Sequence, residues 1–188
     1  MNPGWRRRPL PEAFYARDTV LVARELLGKV LRVRDGRLWR SGMIVEDEAY
    51  LREDPASHAY LGPNRRNRSM FGRPGTAYVF TVHGVHCMNV VTQAAEAVLI
   101  RAVEPLENVA SPTDGPGKVC RALGITRERH DGVPVTGPDL EILDGGLGPF
   151  VAAVSPRIGV TRAKALPLRF YVKDNRFVSR PRPGAQAR

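Results

Sequence analysis

The acidic end of a long predicted strand decides the fold, and it reads Val45-Glu46-Asp47-Glu48-Ala49-Tyr50. Side chains alternate between the two faces of a strand, so Glu46, Glu48 and Tyr50 are predicted on one face and Asp47 on the other. Five carboxylates lie within the nine positions from 46 to 54. In a strongly basic chain, this concentration of acid predicts a role beyond solubility.

Short strands and helices surround this segment. Asp18 is placed to cap a helix that Gly28 ends, and Asp35-Gly36 turns a strand at 29–34 into the acidic strand. Further elements are predicted as a hairpin of residues 76–80 and 87–91 with its turn near His83-Gly84, a strand at 97–103, a helix at 115–124 and a last strand at 168–172. Residues 131–148 are rich in Gly and Pro and are predicted to form a long surface loop.

Length and charge limit the class of protein. The 188 residues, 43% of them hydrophobic, fit one domain that spans residues 1–188. Lys and Arg number 29 against 19 Asp and Glu, and the net charge of +10 predicts binding to nucleic acid or another polyanion. The alternative is that the arginine excess reflects genomic composition. The basic ends, at about 1–9 and 180–188, are predicted to be flexible and either contact phosphates or are solvated tails.

The compartment is predicted from the N-terminus and the cysteines. No apolar core of signal-peptide length follows the first residues, and no run approaches a membrane span. Cys87 and Cys120 do not make a disulfide framework. A cytoplasmic protein without membrane contact, held at the nucleoid by DNA, is therefore predicted. The cysteines and the four histidines fall at no usual zinc-site spacing.

Glu48 is the leading candidate for chemistry, because one carboxylate beside an aromatic ring and an arginine suits the activation of water. A general base must be ionised yet poorly solvated; a guanidinium keeps it charged while an aromatic wall excludes bulk water. Arg101, alone inside an apolar predicted strand, is the candidate cation. The alternatives are a solvated strand end for Glu48 and a structural ion pair for Arg101.

Aromatic and imidazole side chains at the predicted strand ends are candidates for a pocket that stacks a planar base. They are Tyr50, His58, Tyr78, Phe80 and His83. Asn89 adds an amide that can read a base edge. The alternative is that the aromatic residues belong to the core and that Asn89 is a satisfied strand or turn residue.

Two other sites are compatible with the pattern. The segment Gly115-Pro116-Gly117-Lys118 opens a helix, where free N–H groups favour a phosphate, although an ordinary helix start fits as well and P-loop spacing is absent. Four residues could surround a divalent metal, as in metal-dependent nucleases: Asp47, Glu48, Asp54 and His58. The opposite faces of Asp47 and Glu48 count against this metal site.

Several motifs, in order along most of the chain, are similar to those of the alkyladenine (3-methyladenine) DNA glycosylase family of mammalian type. They are Leu26-Leu27-Gly28-Lys29, Val45-Glu46-Asp47-Glu48-Ala49-Tyr50, Asp54-Pro55-Ala56-Ser57-His58, Arg66-Asn67-Arg68-Ser69-Met70-Phe71, Pro74-Gly75-Thr76-Ala77-Tyr78-Val79, Cys87-Met88-Asn89-Val90, Val98-Leu99-Ile100-Arg101-Ala102-Val103-Glu104-Pro105 and Leu168-Arg169-Phe170-Tyr171-Val172. The resemblance implies a single compact α+β domain. Its curved, mostly antiparallel sheet would be flanked by short helices, as in formyltransferase C-terminal domains.

The resemblance also implies a monofunctional hydrolase of base-excision repair that acts on double-stranded DNA. It would flip an alkylated purine out of the duplex and hydrolyse the N-glycosidic bond, leaving an abasic site. The implied bases are 3-methyladenine and 7-methylguanine, with hypoxanthine and ethenoadenine as further candidates. The implied mechanism uses no metal or other cofactor, and a monomer is expected.

The same resemblance assigns roles to the candidate residues. Glu48 would deprotonate the attacking water, which Arg101 and a backbone carbonyl near Ile158 would hold. The walls around the flipped base would be Tyr50, His58 and Phe80. The backbone from Ala56 to His58 would read the base edge, Asn89 would crowd the exocyclic amine of guanine, and His83 would fill the gap left in the duplex.

The chain departs from the family pattern at three places. His83 stands where the wedge is usually a tyrosine, and Phe80 stands where a tyrosine is common. Between Gly84 and Asn89 the chain is one residue shorter, and a shift of one residue reverses the face on which a side chain lies. Asn89 is therefore expected in the pocket only if the turn absorbs the missing residue.

Two rival functions stay open from the sequence. The first is a non-catalytic module that binds damaged DNA, in which the altered wedge or hairpin has disabled base flipping. Intact Glu48 and Arg101 argue against it. The second is the metal-dependent nuclease.

Overall fold

The computed structural model describes residues 8–145 and 149–179, which contain one eight-stranded sheet curled into a half-barrel. The strands are β1 Val30–Asp35, β2 Leu38–Tyr50, β3 Ala77–Val82, β4 Val85–Val91, β5 Ala97–Glu107, β6 Leu140–Leu143, β7 Ala152–Ser155 and β8 Arg169–Val172. All pairings between these strands are antiparallel, which confirms the predicted α+β class. The predicted basic ends at 1–9 and 180–188 lie outside the described residues, except for Arg8 and Pro9.

β2 lies in the middle of the sheet, whose order is β3-β4-β5-β2-β1-β6. β5 pairs with one edge of β2; on the other edge β1 pairs with its first half, and β8 pairs with Glu46 to Glu48 and leads on to β7. Strands therefore cover the acidic end on both sides, and Glu46, Asp47 and Glu48 have no solvent exposure. The alternative of a solvated strand end at Glu48 is wrong.

Short helices flank the sheet: α1 Glu12–Tyr15, α2 Thr19–Leu26, α3 Pro116–Leu123, α4 Arg127–His130 and a 3₁₀ turn Arg68–Phe71. The predicted cap of α2 is confirmed, because the Asp18 carboxylate accepts the Leu21 N–H at 2.8 Å. Gly28 follows this helix at φ +81°, in the left-handed region that glycine tolerates. Within the described part of the chain, no helix is both long and apolar enough to cross a membrane.

The prediction of one long loop at 131–148 is wrong. β6 lies inside it and pairs with β1, and Leu140 and Ile142 are buried in the core. The strand is only four residues long, so its Gly- and Pro-rich surroundings dominate the local pattern. The open edge of β1 determines its conformation, which is a tertiary effect that local propensity does not show.

Candidate active site

A β-bulge in β5 places Arg101 beside the acidic end of β2. The residue pairs on either side of the bulge are Glu46↔Ala102 and Asp47↔Ile100, so Arg101 is the additional residue between them. A bulge bends its strand and redirects the extra side chain. Arg101 Nε donates to Glu46 Oε1 at 3.0 Å, and Arg101 Nη1 lies 3.3 Å from Glu48 Oε2. The bulge thus brings the predicted base and the predicted cation into contact.

Arg101 carries its charge in a buried position. Burial opposes that charge, but the carboxylates of Glu48 and Glu46 outweigh it and raise the pKa of Arg101 above its ordinary value. Among the described residues its one hydrogen bond runs from Nε to Glu46, its Nη1 is 3.3 Å from Glu48 in an ion pair, and Arg101 lines a cavity. The guanidinium can therefore donate to a molecule in that cavity.

Glu48 is held by three partners. Tyr50 donates its hydroxyl to Glu48 Oε2 at 2.8 Å, the Ile158 N–H donates to Oε1 at 2.7 Å, and Arg101 is the third. Burial, reinforced by the nearby Glu48 charge and this hydrogen bond, raises the pKa of Tyr50, so the phenol stays a donor. All three partners line the cavity while Glu48 is unexposed. The carboxylate therefore lies directly beneath the cavity floor.

The cavity has a volume of about 570 Å³, within the range of small-ligand pockets. The predicted pocket residues all line it: Tyr50, Ala56, His58, Phe80 and Asn89. Residues Ile158 to Arg162, in the segment between β7 and β8, also line it. The structure thus brings these five residues together around one cavity, which Tyr78 also lines, whereas His83, the other candidate for the stacking pocket, does not line it.

One wall of the cavity is aromatic. The rings of His58 and Phe80 lie 4.6 Å apart at 80°, and those of Tyr78 and Phe80 lie 5.7 Å apart at 31°. The Tyr78 hydroxyl is 2.9 Å from His58 Nδ1. Partial burial lowers the pKa of His58, which favours the neutral imidazole at neutral pH. The wall therefore offers uncharged rings to a ligand.

The hairpin of β3 and β4 has a tight turn and places Asn89 at the cavity. His83 and Gly84 have φ of +48° and +76°, as in a two-residue hairpin turn of type I′. The pairing then runs regularly to Tyr78↔Asn89. Asn89 lines the cavity, and its Nδ2 donates to the Tyr78 carbonyl at 3.1 Å. His83 is exposed at the tip, next to the cavity-lining Val82.

Comparison with known proteins identifies the family. A sequence model described as methylpurine-DNA glycosylase matches residues 13–176. This chain belongs to the methylpurine-DNA glycosylase family. Three similar proteins each carry the name "Putative 3-methyladenine DNA glycosylase". That of Anaeromyxobacter dehalogenans strain 2CP-1 is 48% identical over 186 residues, which cover 95% of this chain and 89% of its own.

The other two relatives are similar over comparable lengths. The protein of Methanoculleus marisnigri is 46% identical over 191 residues (91% of this chain, 98% of its own), and that of Legionella pneumophila strain Lens is 45% identical over 183 residues (92% and 99%). The chain is accordingly a hydrolase of DNA repair that cleaves the N-glycosyl bond of a damaged base, and DNA is its substrate.

Sequence reasoning missed a second ion cluster in this glycosylase, behind the cavity. Glu46 accepts hydrogen bonds from Arg169 Nε at 2.7 Å and from the hydroxyl and N–H of Ser179 at 2.7 and 2.6 Å, besides the one from Arg101. Arg169, like Arg101, is a lone arginine among apolar residues, between Leu168 and Phe170, and that signal could have been used. Ser179 carried no signal, because its partner is 133 positions away.

A fully buried ion pair between Arg157 and Asp54 was also missed. Arg157 Nη1 donates to Asp54 Oδ2 and, at 3.1 Å, to the Ala49 carbonyl, and its guanidinium lies 4.6 Å from the centre of the Tyr50 ring. Asp54 Oδ1 accepts the Ala56 N–H at 2.9 Å. The pair joins the segments on two sides of the cavity, and the Ala56 N–H is already engaged rather than free to read a base.

The residues of the metal-site alternative do not converge on one point. In the chain from 8 to 145 and from 149 to 179, no three His, Cys, Asp or Glu side chains are grouped to hold a metal ion. Asp47 belongs to the opposite face of β2, and its two oxygens have no partner among these residues. Burial, then the charges of Glu46 and Glu48, raise the pKa of Asp47 well above its ordinary value.

The predicted phosphate site at the start of α3 stays a prediction. Pro116 lines the cavity, which places this helix end beside the site. Lys118 Nζ donates a hydrogen bond to Asp114 Oδ1 at 3.0 Å, in the segment just before the helix.

Proposed function

We propose that this glycosylase flips an alkylated purine out of double-stranded DNA into the cavity and hydrolyses its N-glycosidic bond, leaving an abasic site. Flipping is needed because that bond is out of reach while the base is stacked. The proposed substrates are 3-methyladenine and 7-methylguanine, and hypoxanthine and ethenoadenine are further candidates. The observation that carries the proposal is the buried Glu48 beneath the cavity floor, whose three partners all line the cavity.

Glu48 is the general base in this proposal. Arg101 Nη1 and Glu48 Oε2 lie only 3.3 Å apart, so one water molecule on the cavity side of this ion pair can form hydrogen bonds with both groups. That water accepts a hydrogen bond from Arg101 and gives its proton to Glu48 while its oxygen attacks the sugar C1′. The base leaves with the electrons of the glycosidic bond. The carboxylate also stabilises positive charge that develops on the sugar.

The flipped base stacks between Tyr50 and the wall of His58 and Phe80. A positively charged alkylated purine is a good leaving group, so selectivity comes partly from the lesion itself. Asn89 crowds the exocyclic amine of normal guanine, and His83 fills the space left in the duplex. The enzyme acts as a cytoplasmic monomer, and its net charge of +10 attracts the DNA backbone.

The test is release of methylated purine from alkylated duplex DNA in the presence of EDTA. Glu48→Gln should lower the rate of release by about 10²–10⁴-fold and leave DNA affinity unchanged, since Glu48 is unexposed. Glu53→Gln, a change at an exposed carboxylate nearby, is the matched control and should behave as wild type. Wild-type release by Glu48→Gln, or equal loss of release and DNA binding, would contradict the proposal.

A further inference from the structure

Glu46 has no part in the reaction proposed above, yet four hydrogen bonds hold its carboxylate. Oε1 accepts from Arg101 Nε at 3.0 Å, Arg169 Nε at 2.7 Å and the Ser179 hydroxyl at 2.7 Å, and Oε2 accepts the Ser179 N–H at 2.6 Å. The residue is fully buried and does not line the cavity. Any effect of Glu46 on the reaction must therefore pass through one of these partners.

Arg101 is the partner that links Glu46 to the cavity. Left with one carboxylate, a guanidinium closes onto it with two parallel hydrogen bonds. Here Nε is committed to Glu46, so only Nη1 approaches Glu48, at 3.3 Å. The guanidinium therefore does not form a pair of parallel hydrogen bonds with Glu48, and its terminal nitrogens can also donate to a molecule in the cavity.

Glu46 is itself fixed in position by β8 and the segment that follows it. Arg169 also donates from Nη1 to Ser155 Oγ at 2.9 Å and from Nη2 to the Ser179 carbonyl at 3.1 Å. These contacts tie β7, β8 and Ser179 around one carboxylate. Arg169 also supplies the second positive charge of the cluster, so Glu46 does not depend on Arg101 alone for neutralisation.

We propose that Glu46 is a positioning residue for base excision, because it anchors Nε of Arg101 and so keeps the guanidinium from closing onto Glu48. Nη1 of Arg101 and Oε2 of Glu48 then bind the attacking water together, on the cavity side of their contact. This inference rests on the proposed roles of Glu48 and Arg101. Without the anchor, Arg101 pairs with Glu48 through two hydrogen bonds, which weakens the base and occupies the donor and the acceptor that would bind the water.

The pH dependence of release distinguishes this role from a purely structural one. The charged and titratable groups packed around Glu48 are Arg101 of β5, Tyr50, Glu46 and Asp47 of β2, Arg169 of β8 and Arg157 before Ile158. Removing the negative charge of Glu46 favours the ionised form of Glu48. The acid limb of the rate profile then moves to lower pH while the maximal rate falls.

The experiment measures single-turnover release of 7-methylguanine from methylated duplex DNA between about pH 5 and pH 8, with DNA affinity measured in parallel. Glu46→Gln should lower the maximal rate by about 10–100-fold, as expected for a misplaced catalytic group. DNA affinity should change by less than about twofold, and the acid limb should move to lower pH. A lower rate with an unmoved acid limb, or a wild-type profile, would overturn the proposal.

Glu46→Asp is the second variant, and it carries the test if Glu46→Gln does not fold. It keeps the charge but loses the reach to Arg101, so release should again be slow; a wild-type rate would show that the anchor is unnecessary. Glu48→Gln is run beside both. If Glu48→Gln stays active, the proposed function itself is wrong. If Glu48→Gln is inactive while both Glu46 variants behave as wild type, only the positioning role of Glu46 is wrong.

Discussion

Glu46 and Asp47 are neighbours on β2 and both fully buried, yet their surroundings are opposite. Glu46 accepts four hydrogen bonds from two arginines and Ser179, whereas neither oxygen of Asp47 has a partner in the described part of the chain. Burial, then the neighbouring glutamates, raise the pKa of Asp47 well above its ordinary range, which favours its neutral form. One step along the strand separates an acid with four hydrogen-bond donors from an acid with none among the described residues.

The difference shows that the face of β2, rather than the depth of burial, decides whether a buried acid has hydrogen-bond donors and cations beside it. One face receives Arg101 from the β5 bulge and Arg169 from β8, and these cations replace the water that a buried carboxylate loses. The other face carries Val45 and Ala49 into the apolar core. Nothing in the structure explains why an acid, rather than an apolar residue, occupies position 47.

The largest effect on the free energy of unfolding is expected at Asp54, because removing its charge leaves the buried cation Arg157 unpaired. Asp54→Asn keeps an acceptor for the Ala56 N–H but leaves Arg157 buried without its counterion. Breaking one side of a buried ion pair costs about 3–5 kcal/mol, so the free energy of unfolding should fall by about that amount. Urea unfolding at neutral pH measures it, with Glu53→Gln as the control. A loss below about 1 kcal/mol would mean that water or another group compensates Arg157.

A smaller effect is expected for Asp47→Asn, and it is an increase rather than a decrease in the free energy of unfolding relative to wild type. An acid whose pKa is raised by folding contributes fully below its unfolded pKa, and that contribution is lost as pH rises toward the folded pKa. The wild-type chain should therefore lose up to about 1.4 kcal/mol per pH unit from this residue above about pH 4. Asp47→Asn has no carboxyl at this position to titrate. The difference between its free energy of unfolding and that of wild type should therefore increase from pH 5 to pH 8.

Urea unfolding of wild type and Asp47→Asn at three pH values gives this difference directly, because all other titrating groups are shared. Glu46→Gln provides the contrast on the other face and should be less stable than wild type throughout, since it removes the negative charge that pairs with two arginines and one of the two acceptor oxygens. A pH-independent difference between Asp47→Asn and wild type would show that Asp47 is ionised in the folded chain, and the contrast between the two faces would not hold.

Much of this contrast was visible in the sequence. Alternation along β2 separates Asp47 from Glu48, and an arginine inside an apolar strand marked Arg101 as unusual. The bulge that directs the Arg101 side chain toward Glu46 was not predictable, because it depends on the register between two strands more than fifty positions apart. The contacts of Arg157 and Ser179 were hidden for the same reason, and β6 is a strand only because the edge of β1 accepts it.

The smallest effect on stability is expected outside β2, at the tip of the hairpin. His83 has φ of +48°, a region where His, Asn and Asp are enriched, so this two-residue turn suits a histidine. His83→Asn keeps the turn and removes the ring, so the free energy of unfolding should change by less than about 0.5 kcal/mol. Release of methylated purine should fall about tenfold, because the lost stacking in the duplex is worth about 1–3 kcal/mol. Unchanged release with an intact fold would remove His83 from the mechanism, whereas buried Glu48 and its partners would keep the roles proposed for them.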